Sequence, residues 1–459
     1  MNPSAESAGR FNRREALRRA GLGMGLLAGS TLLADLLGGA HVWADSPTLD
    51  PRTPPLPSKA RAIIHLWAGG APSHLDTFDP KPALERVRDT AIPGHSGVAF
   101  PSPFTFPHCG KSGLEISEIF PQLGQVADDL CVIRSMTTDV PAHSTAATFM
   151  HTGSLILPKP SVGSWVLYGL GSGNRNLPGF VTLGGAANWR QSVFLPSLFQ
   201  GTRADFAAGR PVDRVLPNLR NEFSTMPEQR RQLDLVGQLN QQHLERVQRD
   251  EQLEARGESF ELGYRMETEA VEAFDIGREP KEVRELYGKG EIAARLLCAR
   301  RLVERGVRFV QIDVGGWDHH TALGRSIART AENIDRAAAA LITDLKRRGL
   351  LNSTLVWWGG EFGRTATCSG KVDENSGRDH HSKCFSHWLA GGGVKGGTAY
   401  GATDELGTDV AEKPVHVHDL HATILRLLGF DHKQLTYRYN GRDFRLTDNF
   451  GKIVEEIIA

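Results

Sequence analysis

The sequence predicts an α/β protein: a largely parallel sheet covered by helices on both faces. Three observations carry that expectation. Apolar runs without alternation, such as "AIIHLW", "FVQIDV" and "TLVWW", read as strands buried on both sides. These runs alternate along the chain with helical segments. Several of the strands end in glycine and then release ionisable residues, the place where open α/β sheets carry their chemistry.

The chain of 459 residues begins with a targeting segment. Arg13-Arg14 precede a mildly apolar, Gly- and Ala-rich run that is too weak for a stable membrane span, and "VWA" before Asp45 fits cleavage after Ala44. Twin Arg before such a run resembles a Tat signal, so residues 1–44 are expected to be a leader and the mature protein periplasmic or extracellular, with no stable span after cleavage. Residues 45–58 read as a Pro-rich linker and 59–459 as a single domain. Within it "ARAIIHLW" is a strand, "ISEIFPQLGQVADDL" is helical and "CVIRSM" is the next strand, followed by "GFVTLG". A segment rich in Gln, Glu and Arg, about 212–285, reads as a helical insertion with a stripe at Leu233, Leu235, Leu239 and Leu244, and carries no chemistry. Then come the helix "EIAARLLCARRLVERG", the strand "VRFVQIDV", a long helix ending at Gly349, the strand "STLVWWGG", the strand "FSHWLAGGG" and the helix "HDLHATILRLLG". Net charge is zero, which leaves no electrostatic footprint for nucleic acid. None of the five Cys forms a C-x-x-C; Cys131 and Cys298 read as packed, while Cys368 and Cys384 flank a polar loop and are candidates for pairing.

Four loops hold the candidate chemistry. "GGAPSHLDTFD" offers His74, Asp76 and Asp79, although a polar turn with Asp79 as a cap explains it equally well. "IDVGGWDHH" offers Asp313, Asp318, His319 and His320; "GGEFGRT" offers Glu361 and Arg364; "GRDHHSK" offers Arg378, Asp379, His380, His381 and Lys383 just before a strand. Parallel strands bring such loops to one rim, and Gly69-Gly70 would let the backbone approach a metal or anion closely. Mixed imidazole and carboxylate donors suit Zn or Mn, whereas an all-oxygen set would suit Mg or Ca.

"GGAPSHLDTFDPKP", "GGWDHH", "GEFGRT", "GRDHH" and the run from "HVHDLHATILRLLG" to the C-terminus resemble the DUF1501 family, exported bacterial proteins of planctomycete type. The resemblance runs from about residue 59 to the end and implies the alkaline phosphatase and sulfatase superfamily: an alkaline-phosphatase-like central, mostly parallel sheet sandwiched by helices, with metal ions at the strand ends. It departs from the sulfatase pattern. The C-x-P-S-R motif that supplies formylglycine is absent, with His143 at its first position in "HSTAATFMHTG", which leaves Ser144 or Thr145 as an alkoxide nucleophile. Glu361 and Phe362 stand where sulfatases carry an Asp and a His; His380 or His381 matches a metal ligand, and Lys383 an anion-facing lysine. "HDLHATILRLLG" resembles a structural helix, so His418 and His421 are structural.

The expected function is an exported metal-dependent hydrolase of phosphate or sulfate esters; the alternative is a catalytically degenerate surface binding protein on the same fold. His74, Asp76, Asp318, His320, Glu361 and His380 are the expected metal ligands, Ser144 and His143 the expected catalytic pair at a helix N-terminus, and Arg364 and Lys383 the anion holders. The expected partner is an anionic ester or a sulfated or phosphorylated polymer.

Overall fold

Strand β1 (Ala62–Trp67) is buried along its whole length, as an unbroken apolar run requires. In the computed structural model, which describes residues 48–459 except 157, 185–186, 212–213, 217–222 and 248–250, it lies inside a nine-stranded sheet. The expected leader (1–44) and the first residues of the expected linker fall outside the described residues. The other strands are β2 (Leu130–Thr137), β3 (Phe180–Leu183), β4 (Thr202–Ala204), β5 (Phe309–Asp313), β6 (Thr354–Gly359), β7 (Phe385–Gly391), β8 (Thr398–Tyr400) and β9 (Val415–His416). Their order is β8-β2-β7-β6-β1-β5-β3-β4, with β9 also beside β2. All these pairings are parallel except those of β7, which runs against both β2 and β6. Trp67 is level with Asp313 on one side and Gly359 on the other, so β1, β5 and β6 end on one rim. Because β7 is reversed, the residues before it arrive at that same rim.

Helices cover both faces. Alternate residues of β1 point to opposite sides. Ile64 and Leu66 share a core with Leu296 and Leu297 of α5 (Glu291–Glu304) and with Ile327 and Leu341 of α6 (Leu323–Arg347). On the other side His65 lies 5.7 Å, centroid to centroid, from His151 of α1 (His143–Thr152). There α2 (Val162–Leu170) packs so close to β3 that a Cβ at Gly163 would sit 2.5 Å from the Phe180 ring. On α7 (Val417–Leu427), His418 and His421 bond the carbonyls of Gly153 and Met150 at the end of α1, the structural role expected of them.

The insertion contains α3 (Met226–Val247) and α4 (Glu251–Phe274), clasped by a two-pronged Arg230–Glu261 ion pair. Its expected leucine stripe is only partly covered: Leu235 and Leu239 are each 56% exposed. The helix expected at 116–130 shortens to a 3₁₀ segment, Leu123–Asp129. Pro121 has no N–H to give, and the Asp335 carboxylate takes the Gln122 and Leu123 amides. All five cysteines are free: Cys368 Sγ faces Gly370 O, and Cys384 Sγ lies against Gly407 O and His74.

Candidate metal centre

Several segments that reach the rim deliver parts of one cluster. The loop after β2 leads into α1, whose first turn holds His143 and Ser144 and whose last residue precedes Gly153 in the left-handed conformation, as expected from the sequence. The loop after β5 carries Asp318 and His320, and the loop after β6 carries Glu361 and Arg364. A short antiparallel ribbon sets Arg364 opposite His380, ahead of the reversed β7. One ligand atom from each of His143, Asp318, His320 and His380 lies within 4.8 Å of the others, among the described residues the one group of this kind.

Distances within the cluster are short. Asp318 Oδ1 is 2.9 Å from His320 Nε2, 3.4 Å from His143 Nε2 and 3.7 Å from His380 Nε2, and the His320 and His380 Nε2 atoms are 3.0 Å apart. The opposite ring nitrogens turn outward. His143 Nδ1 is 2.6 Å from Glu361 Oε1, His380 Nδ1 is 3.0 Å from Pro141 O, and His320 Nδ1 is 3.8 Å from Asp379 Oδ1. The hydrogen bonds at Nδ1 of His143 and His380 fix the proton there and leave the Nε2 lone pair aimed inward; the His320–Asp379 contact is too long to be one. His143 Nε2 is buried and makes no hydrogen bond.

Arg364 closes the cluster. It is 1% exposed and held by Gly70 O and Ala71 O, and its Nη2 is 2.5 Å from Asp318 Oδ1. Burial pushes the Asp318 carboxyl up, but the guanidinium outweighs it and holds the group at about 2. The bond to Glu361 raises His143, while desolvation lowers His380.

Three expected site residues lie elsewhere. Asp76 is fully buried in a two-pronged pair with Arg378, which ties the loop before His380 to the turn after β1. His74, also buried, bonds Gly407 O through Nε2. Both residues sit in a four-residue helical turn, His74–Thr77, that folds them into the interior instead of toward the rim. Lys383 is exposed and, among the described residues, pairs with Asp409 alone, at 3.8 Å. Asp79 pairs with Lys81 and Thr403 instead of capping a helix. Glu361 bonds His143 and the Gly70 N–H, so it stands behind the cluster. Gly70, at φ +104°, packs against the loop after β5, where a Cβ would be 2.7 Å from the Asp318 nitrogen. Asp379, quoted in the sequence without a role, accepts the His380 backbone N–H and lies 3.8 Å from His320 Nδ1.

Two hollows reach the cluster. A groove of about 470 Å³ opens over His143 and Asp318, with Ser144, Asp313, Trp67 and Trp189 in its walls. A cavity of about 520 Å³ meets the cluster at His320 and Asp379. The two share no lining residue.

The family model for DUF1501, described as a protein of unknown function, matches residues 60–458. The chain belongs to the DUF1501 family. No curated protein matches this DUF1501 chain in sequence. Among solved structures it is similar to Ps i-CgsB in complex with k-i-k-neocarrahexaose, at 12% identity over 82% of this chain and 74% of that one, with a TM-score of 0.36. It is also similar to the PsFucS1 sulfatase from Pseudoalteromonas sp., at 12% identity over 85% and 75% of the two chains, TM-score 0.34. A third likeness is to alkaline phosphatase from the Antarctic bacterium TAB5, at 10% identity over 82% and 99%, TM-score 0.30. At this distance the likenesses say nothing about chemistry in the DUF1501 chain.

Proposed function

We propose that this protein is an exported, metal-dependent hydrolase of phosphate or sulfate esters, with His143, Asp318, His320 and His380 holding a divalent cation. The observation that carries the reading is the inward convergence of three imidazole Nε2 atoms and one carboxylate oxygen, with His143 Nε2 buried, making no hydrogen bond and 3.4 Å from Asp318 Oδ1. Three nitrogens and one oxygen fit Zn or Mn better than Mg or Ca. A cation held there would supply a Lewis acid for negative charge developing on a phosphoryl or sulfuryl oxygen.

The chain's own groups support the reading. Arg364 places a fixed positive charge beside the cluster, which favours an anionic ester there, while its N–H groups are taken by Ala71 O, Gly70 O, Arg378 O, His320 and Asp318. The first turn of α1 adds unpaired N–H groups and the positive end of the helix dipole. Ser144, exposed on that turn and lining the groove over His143, stands on the nucleophile's side. Export by the Tat route, read from the leader, places the chemistry in the periplasm or outside the cell.

Metal analysis of the purified mature protein tests this. The expected result is bound Zn or Mn, with cleavage of an aryl phosphate or sulfate that EDTA abolishes. A folded protein that takes up no divalent metal overturns it. The Arg364–Asp318 ion pair favours a second reading, a surface protein that holds an anionic polymer without turnover, because it neutralises the carboxylate with no metal present. That reading predicts ester binding that EDTA leaves intact.

A further inference from the structure

We infer that the cavity meeting the cluster at His320 and Asp379 receives the alcohol part of the ester, and that this alcohol is a neutral, polyhydroxylated group of sugar size. The inference rests on the hydrolase reading and adds the class of leaving group.

The walls of the cavity argue the chemistry. Ser96, Thr365, Thr367 and Ser369 line it, and no Trp, Tyr, Phe or large aliphatic residue does; the Thr365 hydroxyl is taken by Thr367 O and the Asp379 N–H, which leaves the other three to a ligand. Hydroxyls both donate and accept, which matches a ligand that does the same and gives an apolar one nothing to bury against. The arginine in the wall, Arg378, is fully buried and engaged by Asp76, so it has no charge to spare for a second anionic group. The remaining acid, Asp379, is exposed and would repel one. At about 520 Å³ the cavity falls in the range of small-molecule sites.

The cavity is also rigid and well placed. Val98–Ala99 pairs with Thr367–Cys368 across its base. A Cβ at Gly97 would sit 2.2 Å from Cys368 O and one at Gly377 2.1 Å from the His320 carbonyl carbon, so these walls close to backbone contact. In-line displacement needs the nucleophile and leaving group on opposite sides of the reacting atom. Ser144 lines the groove that reaches the cluster through His143 and Asp318, and the cavity enters through His320.

The test is a ratio of affinities, measured by calorimetry on the metal-loaded mature protein: hexose 6-phosphate against methyl phosphate, and hexose 6-sulfate against methyl sulfate. The wild type is expected to prefer the sugar ester by about tenfold or more, the discrimination a site built to bond hydroxyls achieves. Ser96→Trp, an exposed position at the cavity, is expected to bring the ratio close to one. Thr367→Val, which removes a hydroxyl at constant volume, is expected to lower it several-fold. Circular dichroism confirms that both variants fold. A wild-type ratio near one, or a ratio unchanged in both variants, overturns the inference. If the protein binds neither metal nor either ester, the hydrolase reading has failed, and the cavity is read with methyl glucoside by saturation-transfer NMR. Transfer that Ser96→Trp abolishes keeps the sugar pocket, and no transfer to the wild type removes it.

Discussion

Two groups of histidines lie around the same strand ends and have opposite characters. His143, His320 and His380 are a quarter to a half exposed, and their Nε2 atoms converge on one point. His65, His151, His387 and His421, behind the sheet, are at most 3% exposed. In the inner group, His151 and His387 bond through both nitrogens and His421 through one. His387 bonds Gly360 O and takes the Trp357 indole N–H, His421 bonds Met150 O, and His151 bonds Ala147 O and Gln311. His65 lies flat on Trp357 at 3.7 Å, and neither of its nitrogens has a hydrogen-bond partner. Burial drives all four toward the neutral form, to about 3 for His151 and His421 and about 4 for His387. A histidine placed to hold a metal is told from a core histidine by where its Nε2 points, and not by how many histidines surround it.

Acid is expected to give the largest effect. Below about pH 6.5 the unfolded imidazoles take up protons that buried His151, His387 and His421 refuse until about pH 4 or 3, and burial holds His65 neutral in the same direction. The unfolded state therefore binds more protons through that window, and stability, complete above about pH 6.5, falls as pH drops. Each group contributes up to about 1.4 kcal/mol per pH unit, so several kcal/mol vanish by about pH 4. Urea titrations at a series of pH values measure this, and His65→Phe should flatten the slope. A stability that stays level down to pH 4.5 would erase the distinction between the two groups.

Paired substitutions come next. His320→Ala should weaken metal binding by more than about 100-fold, beyond the loss typical of an orienting partner, with little change in the stability of the metal-free protein. His421→Ala should do the reverse: about 2–4 kcal/mol of stability lost to a cavity and an unpaired Met150 carbonyl, with metal affinity unchanged. Chelator competition and urea unfolding on both variants decide it, and a His421→Ala protein that cannot hold metal breaks the comparison. Glu361→Gln should cost about 10–100-fold in metal affinity, because the amide no longer supports the proton on His143 Nδ1 as a carboxylate does.

The smallest effect has the opposite sign to the acid effect. His143 is raised above the ordinary value, so in the metal-free protein its contribution is present below about pH 6.5 and fades as pH rises through its own pKa. Its imidazole resonance in an NMR titration should have a midpoint above 6.5 and move back toward it in Glu361→Gln. A midpoint below 6.5 would group His143 with the core.

Much of the site was legible because position along a strand is a local property. Unbroken apolar runs marked the strands, and the glycines after them marked the rim, which placed Asp318, His320, Glu361 and Arg364 correctly near one another. His380 was legible too, although it reaches the rim only because β7 runs backward. The same pattern misled at His74 and Asp76. A strand, two glycines and ionisable residues say where the chain emerges, but not which way a side chain turns, and one helical turn sent both inward. His143 was read as a catalytic partner, and only the approach of α1 to Asp318 showed its Nε2 among the ligand atoms.

The sequence by itself determined the alternation of strands and helices, the rim on which chemistry collects, the helix opening at His143 and the structural part of His418 and His421. Each is written in runs of neighbouring residues, where hydrophobic period, glycine and helix-end signals act over a few positions. The tertiary structure alone decided which histidines face one another. His143 meets Glu361 across 218 positions of sequence, and His320 meets His380 across 60. Contacts of that span are set by strand order, by the reversal of β7 and by the Asp76–Arg378 pair that ties down the loop before His380, and no local pattern encodes distances that arise only when separate segments pack together.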